Sequence, residues 1–217
     1  MTERIVEQPT NASEEKTLIQ EVESITFNEF MARYEGQPYE WHAGKVVLKV
    51  SNNERHALIF NFLHILLSMY ISLKHLGRVY PDGYSMYISD DLPARQPDLM
   101  VVFTEHLDRA KHNRLEGPAD IAIEIVSPAS SAVDRGEKLS EYEQAGVREY
   151  WLIDPLREEA VVYSLHDDGH YRRLPLGNDG ALVSNLLPEF SFDSQLLWRE
   201  EPPTGQEVLD LLQAITI

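Results

Sequence analysis

The stretch IAIEIVSPASSAVDRGEKLSEYEQAGVREYWLIDP, residues 121–155, decides the fold prediction. It starts with an apolar run that a Ser-Pro pair ends, which is typical of a buried strand. A helical pattern follows over 132–145 and ends at Gly146, and residues 150–153 have the composition of a second strand. This order predicts two parallel strands joined by a right-handed crossover through the helix.

The segments around this unit add antiparallel strands. Hairpins are predicted at 39–50, turning near Ala43-Gly44, and at 160–175. We therefore predict a mixed α/β fold: a central mixed β-sheet flanked by α-helices, with an N-terminal β-hairpin extension. The other predicted elements are a helix near 27–34 capped by Thr26 or Asn28, a helix at 55–76 ended by Gly77, strands at 78–80, 83–88, 97–103 and 190–192, a polar loop at 104–118 and a terminal helix at 205–214.

Length, composition and missing motifs exclude several classes of protein. A chain of 217 residues with 43% hydrophobic and 25% charged residues is neither wholly disordered nor a coiled-coil fibre. It has no cysteine, so disulfides, zinc–thiolate sites and thiol catalysis are excluded. Phosphate-loop, dinucleotide-binding, zinc-protease and α/β-hydrolase signatures are absent. We expect an acidic tail at 1–23, one domain at 24–198 and a C-terminal tail with a short helix at 199–217.

The formal net charge of −17 limits how the protein could meet nucleic acid. It argues against a protein that coats DNA through a broad basic surface. It is compatible with a nucleic-acid enzyme whose small site is screened by a metal ion.

The helix predicted at 55–76 is apolar almost all round, which indicates burial on more than one side. We expect it to pack against the sheet and against a second subunit, so a homodimer through this helix is predicted. Polar residues such as Asn61, His64 and Ser68 favour a buried helix over a membrane span. The N-terminus lacks the pattern of a secretory signal, so the expected location is cytoplasmic.

Two acids lie at or inside apolar strands. Asp98 directly precedes the run 99–103, and Glu124 lies within 121–126. Strand alternation places Glu124 with Ala122 and Val126, on a face that is still partly apolar. Two carboxylates at neighbouring strand ends would suit Mg²⁺ or Mn²⁺. Taken alone, each is more simply explained as an edge acid or a turn-initiating aspartate.

Lys138 is the candidate cation beside these acids. It flanks the apolar stripe of the helix at 132–145, from which it could reach the acids and offset developing phosphate charge. On spacing alone, a surface lysine paired with Asp134 or Glu141 is favoured.

Further candidates lie in the hairpin, the long helix and the polar loop. Glu40 is a site acid or a solvated strand acid. His56, at the start of the long helix, is a ligand, a cap or a core hydrogen-bond partner. The loop at 104–118 could contact phosphates or be solvated, and its basic side chains are His106, Arg109, Lys111, His112 and Arg114.

An ordered series of short motifs points to a family. The series is Gln96-Pro97-Asp98, Glu124-Ile125-Val126-Ser127-Pro128, Asp134-x-x-Glu137-Lys138, Tyr142, Gly146-Val147, Glu149-Tyr150-Trp151 and Asp154-Pro155. From about Thr26 to about Leu197 the chain resembles the Uma-type restriction endonuclease family, a branch of the PD-(D/E)XK nuclease superfamily. This resemblance implies a restriction-endonuclease-like core, in agreement with the mixed sheet predicted above.

The resemblance also implies roles for individual residues. Val126 occupies the position where the superfamily motif has its lysine, and Lys138 looks like the migrated lysine of this family. Ala43 and Lys45 flank Gly44 where the family often has acids, so Glu40 is the hairpin's one matching acid. The implied roles are metal ligation by Asp98, Glu124 and the backbone carbonyl of Ile125, catalysis by Lys138 and Glu40, and a matching histidine at His56.

The favoured function is Mg²⁺- or Mn²⁺-dependent endonucleolytic hydrolysis of DNA. The alternative is a nuclease fold kept as a binding module with weak or no catalysis, because a fold does not by itself imply a function. The acidic charge supports this alternative. The complete set of two acids and a lysine favours the enzyme.

Overall fold

Residues 24–49, 53–127, 131–177 and 180–216 are described by the computed structural model of the protein. The tail predicted at 1–23 lies outside the described residues. The division into a domain at 24–198 with tails on both sides stays a prediction.

A six-stranded mixed sheet forms the centre of the fold, as predicted. Its strands are β3 (Gly77–Pro81), β5 (Leu99–Phe103), β7 (Ile121–Ile125), β8 (Glu149–Asp154), β9 (Glu159–Leu165) and β10 (Tyr171–Arg173). Their order across the sheet is β10-β9-β8-β7-β5-β3. In this sheet β7 and β8, both from the stretch 121–155, pair in parallel, and the other neighbours are antiparallel.

Both faces of the sheet are covered, and strand alternation decides which residue faces which core. Ile121, Ile123 and Ile125 pack in the larger core, with helices α2 (Glu54–Leu73) and α5 (Gly205–Thr216). Ala122 and Val126 pack on the opposite face, in a second core with Tyr142 of α4 (Glu137–Ala145). Glu124 belongs to this second face, where α4 covers the sheet.

The N-terminal extension has a small core of its own. Its helix begins at the predicted cap Thr26, which forms a capping box with Glu29. The indole of Trp41 donates a hydrogen bond to the carbonyl of Ile25 over 2.8 Å, and the amide of Ala94 donates to the carbonyl of Trp41 over 2.8 Å. These bonds hold the hairpin beside the segment that leads into Asp98. The elements are α1 (Phe27–Tyr34), β1 (Tyr39–His42) and β2 (Lys45–Leu48).

The end of α2 differs from the prediction. The helix ends at Leu73 instead of 76, and Gly77 is the first residue of β3. The turn is made by His75, whose φ of 55° lies in the left-handed region usually left to glycine. Gly77 serves another purpose, because a Cβ atom there would lie 2.1 Å from the carbonyl oxygen of Val102.

Other elements also correct the sequence predictions. The helix expected over 132–145 is broken at Gly136 into α3 (Ser131–Arg135) and α4; glycine is among the weakest helix formers. The loop at 104–118 contains a 3-10 helix (Thr104–Arg109) and a strand. Besides the β1–β2 hairpin, two more pairs of short strands lie outside the main sheet: β4 (Ser85–Tyr87) with β6 (Arg114–Glu116), and β11 (Ala181–Val183) with β12 (Ser191–Asp193).

Helix α2 is long and apolar enough to cross a membrane by length and composition. In this fold, eight of its residues are buried, and it packs with the sheet and with α5. The burial agrees with the predicted core helix.

Candidate active site

The two predicted acids lie opposite each other on neighbouring strands. Leu99 of β5 pairs with Ile123 of β7 in antiparallel register, so the next opposing pair is Asp98 and Glu124. Opposing residues of such a pair point to the same face of a sheet, with Cβ atoms about 5 Å apart. Asp98 is 5% exposed and Glu124 is 3% exposed. The simpler interpretation of Glu124 as an edge acid is wrong, because Glu124 is buried and β7 lies between β8 and β5.

Asp98 is held by a backbone amide and a histidine. Its Oδ2 accepts a hydrogen bond from the amide of Ile125 over 2.7 Å and contacts His56 Nε2 at 3.0 Å. His56 lies in the first turn of α2, where the side chain of the N-cap Asn53 accepts its backbone amide. The structure thus makes His56 a buried hydrogen-bond partner of Asp98.

Glu124 is held by two side chains of α4. Lys138 Nζ lies 2.9 Å from Glu124 Oε2, and the hydroxyl of Tyr142 donates to Glu124 Oε1 over 2.6 Å. Lys138 and Tyr142 are four residues apart, so they share one face of α4. Lys138 Nζ also lies 2.9 Å from Asp134 Oδ1. Both interpretations of Lys138 hold in part, because it reaches Glu124 and pairs with Asp134, but it is buried and not on the surface.

Two buried carboxylates, those of Glu124 and Asp134, thus contact one ammonium group, and the charge of Glu40 also acts on it. Burial raises the pKa of Glu124 to about 8, with Asp98 and Asp134 adding to the rise and Lys138 opposing it. For Lys138, burial acts to lower the pKa, but Glu124, Asp134 and Glu40 outweigh it and hold the pKa above its ordinary value. Lys138 therefore keeps its proton, and the cluster has more acids than one ammonium can neutralise.

This acid excess fits a divalent cation with few protein ligands. The carbonyl and amide of one strand residue point to the same edge, and the Ile125 amide points at Asp98, so the Ile125 carbonyl faces the β5 side as well. Within the described ranges, no three or more His, Asp or Glu side chains converge as metal ligands. Two carboxylates and a carbonyl suit Mg²⁺, which keeps several of its waters.

Glu40 lies beside this cluster in a second buried network. It is 7% exposed, so the interpretation as a solvated acid is wrong. Arg95 Nη1 lies 3.2 Å from Glu40 Oε2, and the guanidinium donates two hydrogen bonds of 2.7 and 2.9 Å to Glu141 of α4. Burial alone would raise the pKa of Glu40, but the His42 hydrogen bond and the charges of Lys138 and Arg95 hold it well below its usual range.

The basic loop does not gather at the acids. His106 Nδ1 lies 2.9 Å from Asp120, at the opposite end of β7 from Glu124. Arg109 donates to the carbonyl of Pro118 over 2.8 Å, and Arg114 pairs with Glu116 on its own strand.

Arg95 is the site residue that the sequence prediction missed. It joins Glu40 of the hairpin to Glu141 of α4 and is 3% exposed. Its position near Pro97 and Asp98 was a weak signal, because nothing in the local pattern predicts a buried arginine. Tyr142 was named in the family motif series, and the packing shows that its hydroxyl donates to Glu124.

Comparison with known proteins supports the fold. A similar solved structure is described as a "putative nuclease belonging to DUF820" from Anabaena variabilis ATCC 29413. The two chains superpose with a TM-score of 0.67 and 21% identity, over 80% of this chain and 97% of that chain. At this identity the likeness shows the fold alone. No curated protein matches the chain.

The family comparison covers more than half of the chain. The pattern of the Uma2 family, whose description is "Putative restriction endonuclease", matches residues 26–195. The matched segment contains all four predicted catalytic residues: Glu40, Asp98, Glu124 and Lys138. On this evidence the chain belongs to the Uma2 family of restriction-endonuclease-like proteins.

Proposed function

We propose that the protein is a Mg²⁺- or Mn²⁺-dependent endonuclease that hydrolyses phosphodiester bonds in DNA. The observation that carries this proposal is the opposing pair Asp98 and Glu124, with Lys138 Nζ 2.9 Å from Glu124. The family supports a nuclease. The choice of metal and of DNA is our own inference from the hard-oxygen donors and the family's description.

In the proposed site, Asp98, Glu124 and the carbonyl of Ile125 hold the cation. When bound, such an ion polarises a phosphoryl oxygen and lowers the pKa of a coordinated water. His56 and the Ile125 amide fix the Asp98 carboxylate before any ligand arrives. Tyr142 fixes Glu124 in the same way. This preorganisation leaves little rearrangement to be made during the reaction.

Lys138 acts as a fixed positive charge in this proposal. Because its pKa is raised, it stays protonated and is unsuited to act as a general base. Its ammonium group can orient a water molecule and offset the negative charge that develops on the phosphate.

Glu40 is the second acid of the proposed chemistry. Its lowered pKa keeps it ionised, so it can accept hydrogen bonds from water at the edge of the site. Arg95 holds it there while also holding α4, which brings Lys138 to the acids.

The competing function is a binding module with weak or no catalysis. The net charge of −17 favours it, because an acidic protein repels a polyanion. The buried acids argue for the enzyme, since a module that only binds gains nothing from burying Asp98, Glu124 and Asp134 with one lysine between two of them.

Supercoiled plasmid separates the two functions. We would incubate it with the purified protein at low salt in Mg²⁺, in Mn²⁺ and in EDTA, with Asp98→Ala as the matched inactive variant. We expect nicked and linear plasmid only with metal and only with the unchanged protein. Equal cleavage by Asp98→Ala would overturn the site. No cleavage together with no metal binding by calorimetry would favour the binding module.

We also propose that α2 contributes to a homodimer. Part of its circumference is covered within the chain, since Phe62 packs against Phe192 of β12. Leu58 and Leu73 remain 38% and 59% exposed on the same helix. Sedimentation at micromolar concentration checks the proposal, and a monomer there would contradict it.

A further inference from the structure

A cleft beside the candidate active site has no part in the proposed hydrolysis. It has a volume of about 270 Å³ and lies between α1, the turn before β4 and the segment before β6. The rings of Tyr34 and Tyr84 line it, and so do the buried polar side chains Ser85 and Gln96. It therefore combines aromatic surface with hydrogen-bonding groups in a space of small-molecule size.

Both rings are held in place before any ligand arrives. Tyr84 stacks on Tyr80 with 4.7 Å between ring centroids and 13° between planes, and its hydroxyl donates to the carbonyl of Lys111 over 2.6 Å. Tyr34 stacks on Phe30 at 5.6 Å and 23°. Rings that already stack on a neighbouring ring lose little conformational entropy when a flat ligand stacks on them.

The buried side of the cleft offers polar groups for the edge of such a ligand. Gln96 Nε2 donates to Ser85 Oγ over 3.1 Å and lies 3.4 Å from the carbonyl oxygen of Tyr39. The other polar atom of this side chain, Gln96 Oε1, is a hydrogen-bond acceptor. His112 and Asn113 add a ring nitrogen and an amide to the lining.

The cleft is joined to the acids by direct contacts. The backbone amide of Gln96 donates to Glu40 Oε1 over 3.2 Å. The amide of Asp82, in the turn that borders the cleft, donates to the carbonyl of Asp98 over 2.9 Å. A ligand group in the cleft would thus lie one side chain away from the proposed site of phosphodiester hydrolysis.

We propose that the cleft binds one unpaired nucleobase of the substrate, so that the protein acts on single-stranded segments or frayed ends. This inference rests on the proposed nuclease function. Stacking on fixed aromatic rings and hydrogen bonds to a free base edge are how proteins recognise unpaired bases. A base inside a duplex offers neither its faces nor its pairing edge.

The charge of the protein agrees with such a substrate. At −17, the chain repels any nucleic acid, but a single strand carries a weaker counterion atmosphere than a duplex. Stacking in the cleft then supplies affinity that does not depend on a basic surface.

Binding in EDTA tests the cleft without any cleavage. We would measure fluorescence anisotropy at low salt with three labelled probes: a short oligothymidylate, the same strand with abasic residues, and its duplex with oligoadenylate. The proteins are the unchanged chain, Tyr84→Leu, the matched control Tyr84→Phe, and His112→Ala. Because His112 is exposed, its variant tests the cleft even if Tyr84→Leu fails to fold. Urea unfolding checks that each variant is folded.

We expect the oligothymidylate to bind about ten-fold more tightly than the abasic strand and the duplex, the size of one stacked base. Tyr84→Leu should lose this preference and His112→Ala should weaken it, while Tyr84→Phe should keep it. Equal affinity for the three probes, no binding, or an unchanged preference in folded Tyr84→Leu and His112→Ala would overturn the cleft proposal. If the protein cleaves plasmid but binds the three probes equally, only the cleft proposal is contradicted. If it prefers the oligothymidylate but does not cleave plasmid, only the nuclease proposal is contradicted.

Discussion

The two ends of the β5–β7 strand pair both carry buried acids, but the partners of these acids differ between the two ends. At one end, Asp120 is 2% exposed and accepts hydrogen bonds from the amide of Phe103 over 2.7 Å and from Arg148 over 3.2 Å, with His106 at 2.9 Å. At the other end, Asp98 and Glu124 face each other, and Lys138 is the ammonium beside Glu124.

The difference separates a structural acid from a functional one. Asp120 has a cation or an amide for each oxygen, so its charge is neutralised and it joins the strand ends. At the other end, Lys138 contacts Glu124 and Asp134, and burial together with the charges of Asp98 and Asp134 raises the pKa of Glu124. Folding stability alone does not favour such crowding, which is typical of sites that bind a cation or catalyse a reaction.

The largest expected effect contrasts the two aspartates of this strand pair. Asp98→Asn should lower plasmid cleavage by about 10³-fold, because losing a metal ligand removes several kcal/mol of transition-state stabilisation. The asparagine oxygen can still accept the Ile125 amide, so the urea midpoint should change little. Asp120→Asn is the matched control and should cleave at the normal rate. Loss of cleavage in a folded Asp120→Asn protein would contradict the assignment of Asp120 as a structural acid.

For the free energy of unfolding we expect the larger effect at Asp120 and the smaller effect at Asp98. Asp120→Ala leaves the buried amide of Phe103 without its acceptor and removes the partner of Arg148 and of the His106 ring. We expect a loss of about 2–3 kcal/mol in the free energy of unfolding, discounted because the side chains of Arg148 and His106 are partly exposed. Urea titration measures it, with Asp120→Asn expected to lose less. A change below about 0.5 kcal/mol would make Asp120 an ordinary surface acid.

Variants of Lys138 test whether the cation at the Glu124 end contributes to cleavage. Lys138→Gln should lower cleavage by about 10²-fold, because a fixed positive charge no longer faces the phosphate. Lys138→Arg keeps the charge and should retain more activity than the glutamine variant. Single-turnover cleavage rates at saturating metal give both values. Equal activity of all three proteins would remove Lys138 from the proposed mechanism.

The remaining expected effect is the pH dependence of stability without metal. The pKa of Glu124 is about 8 in the folded protein against 4.5 as its ordinary value, so the folded state binds this proton more tightly than the unfolded chain. Stability from this group is therefore fully present below the ordinary pKa and falls as pH rises towards 8, by up to about 1.4 kcal/mol per pH unit.

Glu124→Gln isolates this contribution because the glutamine does not titrate. In EDTA, urea unfolding at pH 5, 6.5 and 8 should show the variant gaining stability relative to the unchanged protein as pH rises. Parallel stability curves would show that Glu124 has the same affinity for a proton in both states, and the acid crowding would then be no different from the Asp120 end.

Local sequence patterns determined the central unit of the fold. The alternation in 121–126 placed Ile121, Ile123 and Ile125 in one core and Glu124 on the opposite face, because side chains of a strand alternate regardless of what packs on them. The segment 121–155 predicted the parallel pair, since a strand–helix–strand unit has one favoured hand. The sequence pattern named Asp98, Glu124, Lys138 and Glu40 as candidates and the family resemblance implied their roles, and all four lie in adjoining buried networks.

The tertiary structure decided which distant residues lie together, which no local sequence pattern contains. Asp98 and Glu124 lie opposite each other because of the register of β5 against β7. The sequence of one strand does not determine its register against a strand that is distant in the chain. The bond from Arg95 to both Glu40 and Glu141 joins residues that are far apart in sequence. Whether an acid is neutralised, like Asp120, or crowded, like Glu124, depends on charges brought together only by folding. The sequence alone therefore determined which residues could react, and the packing of distant segments decided which of them share a site.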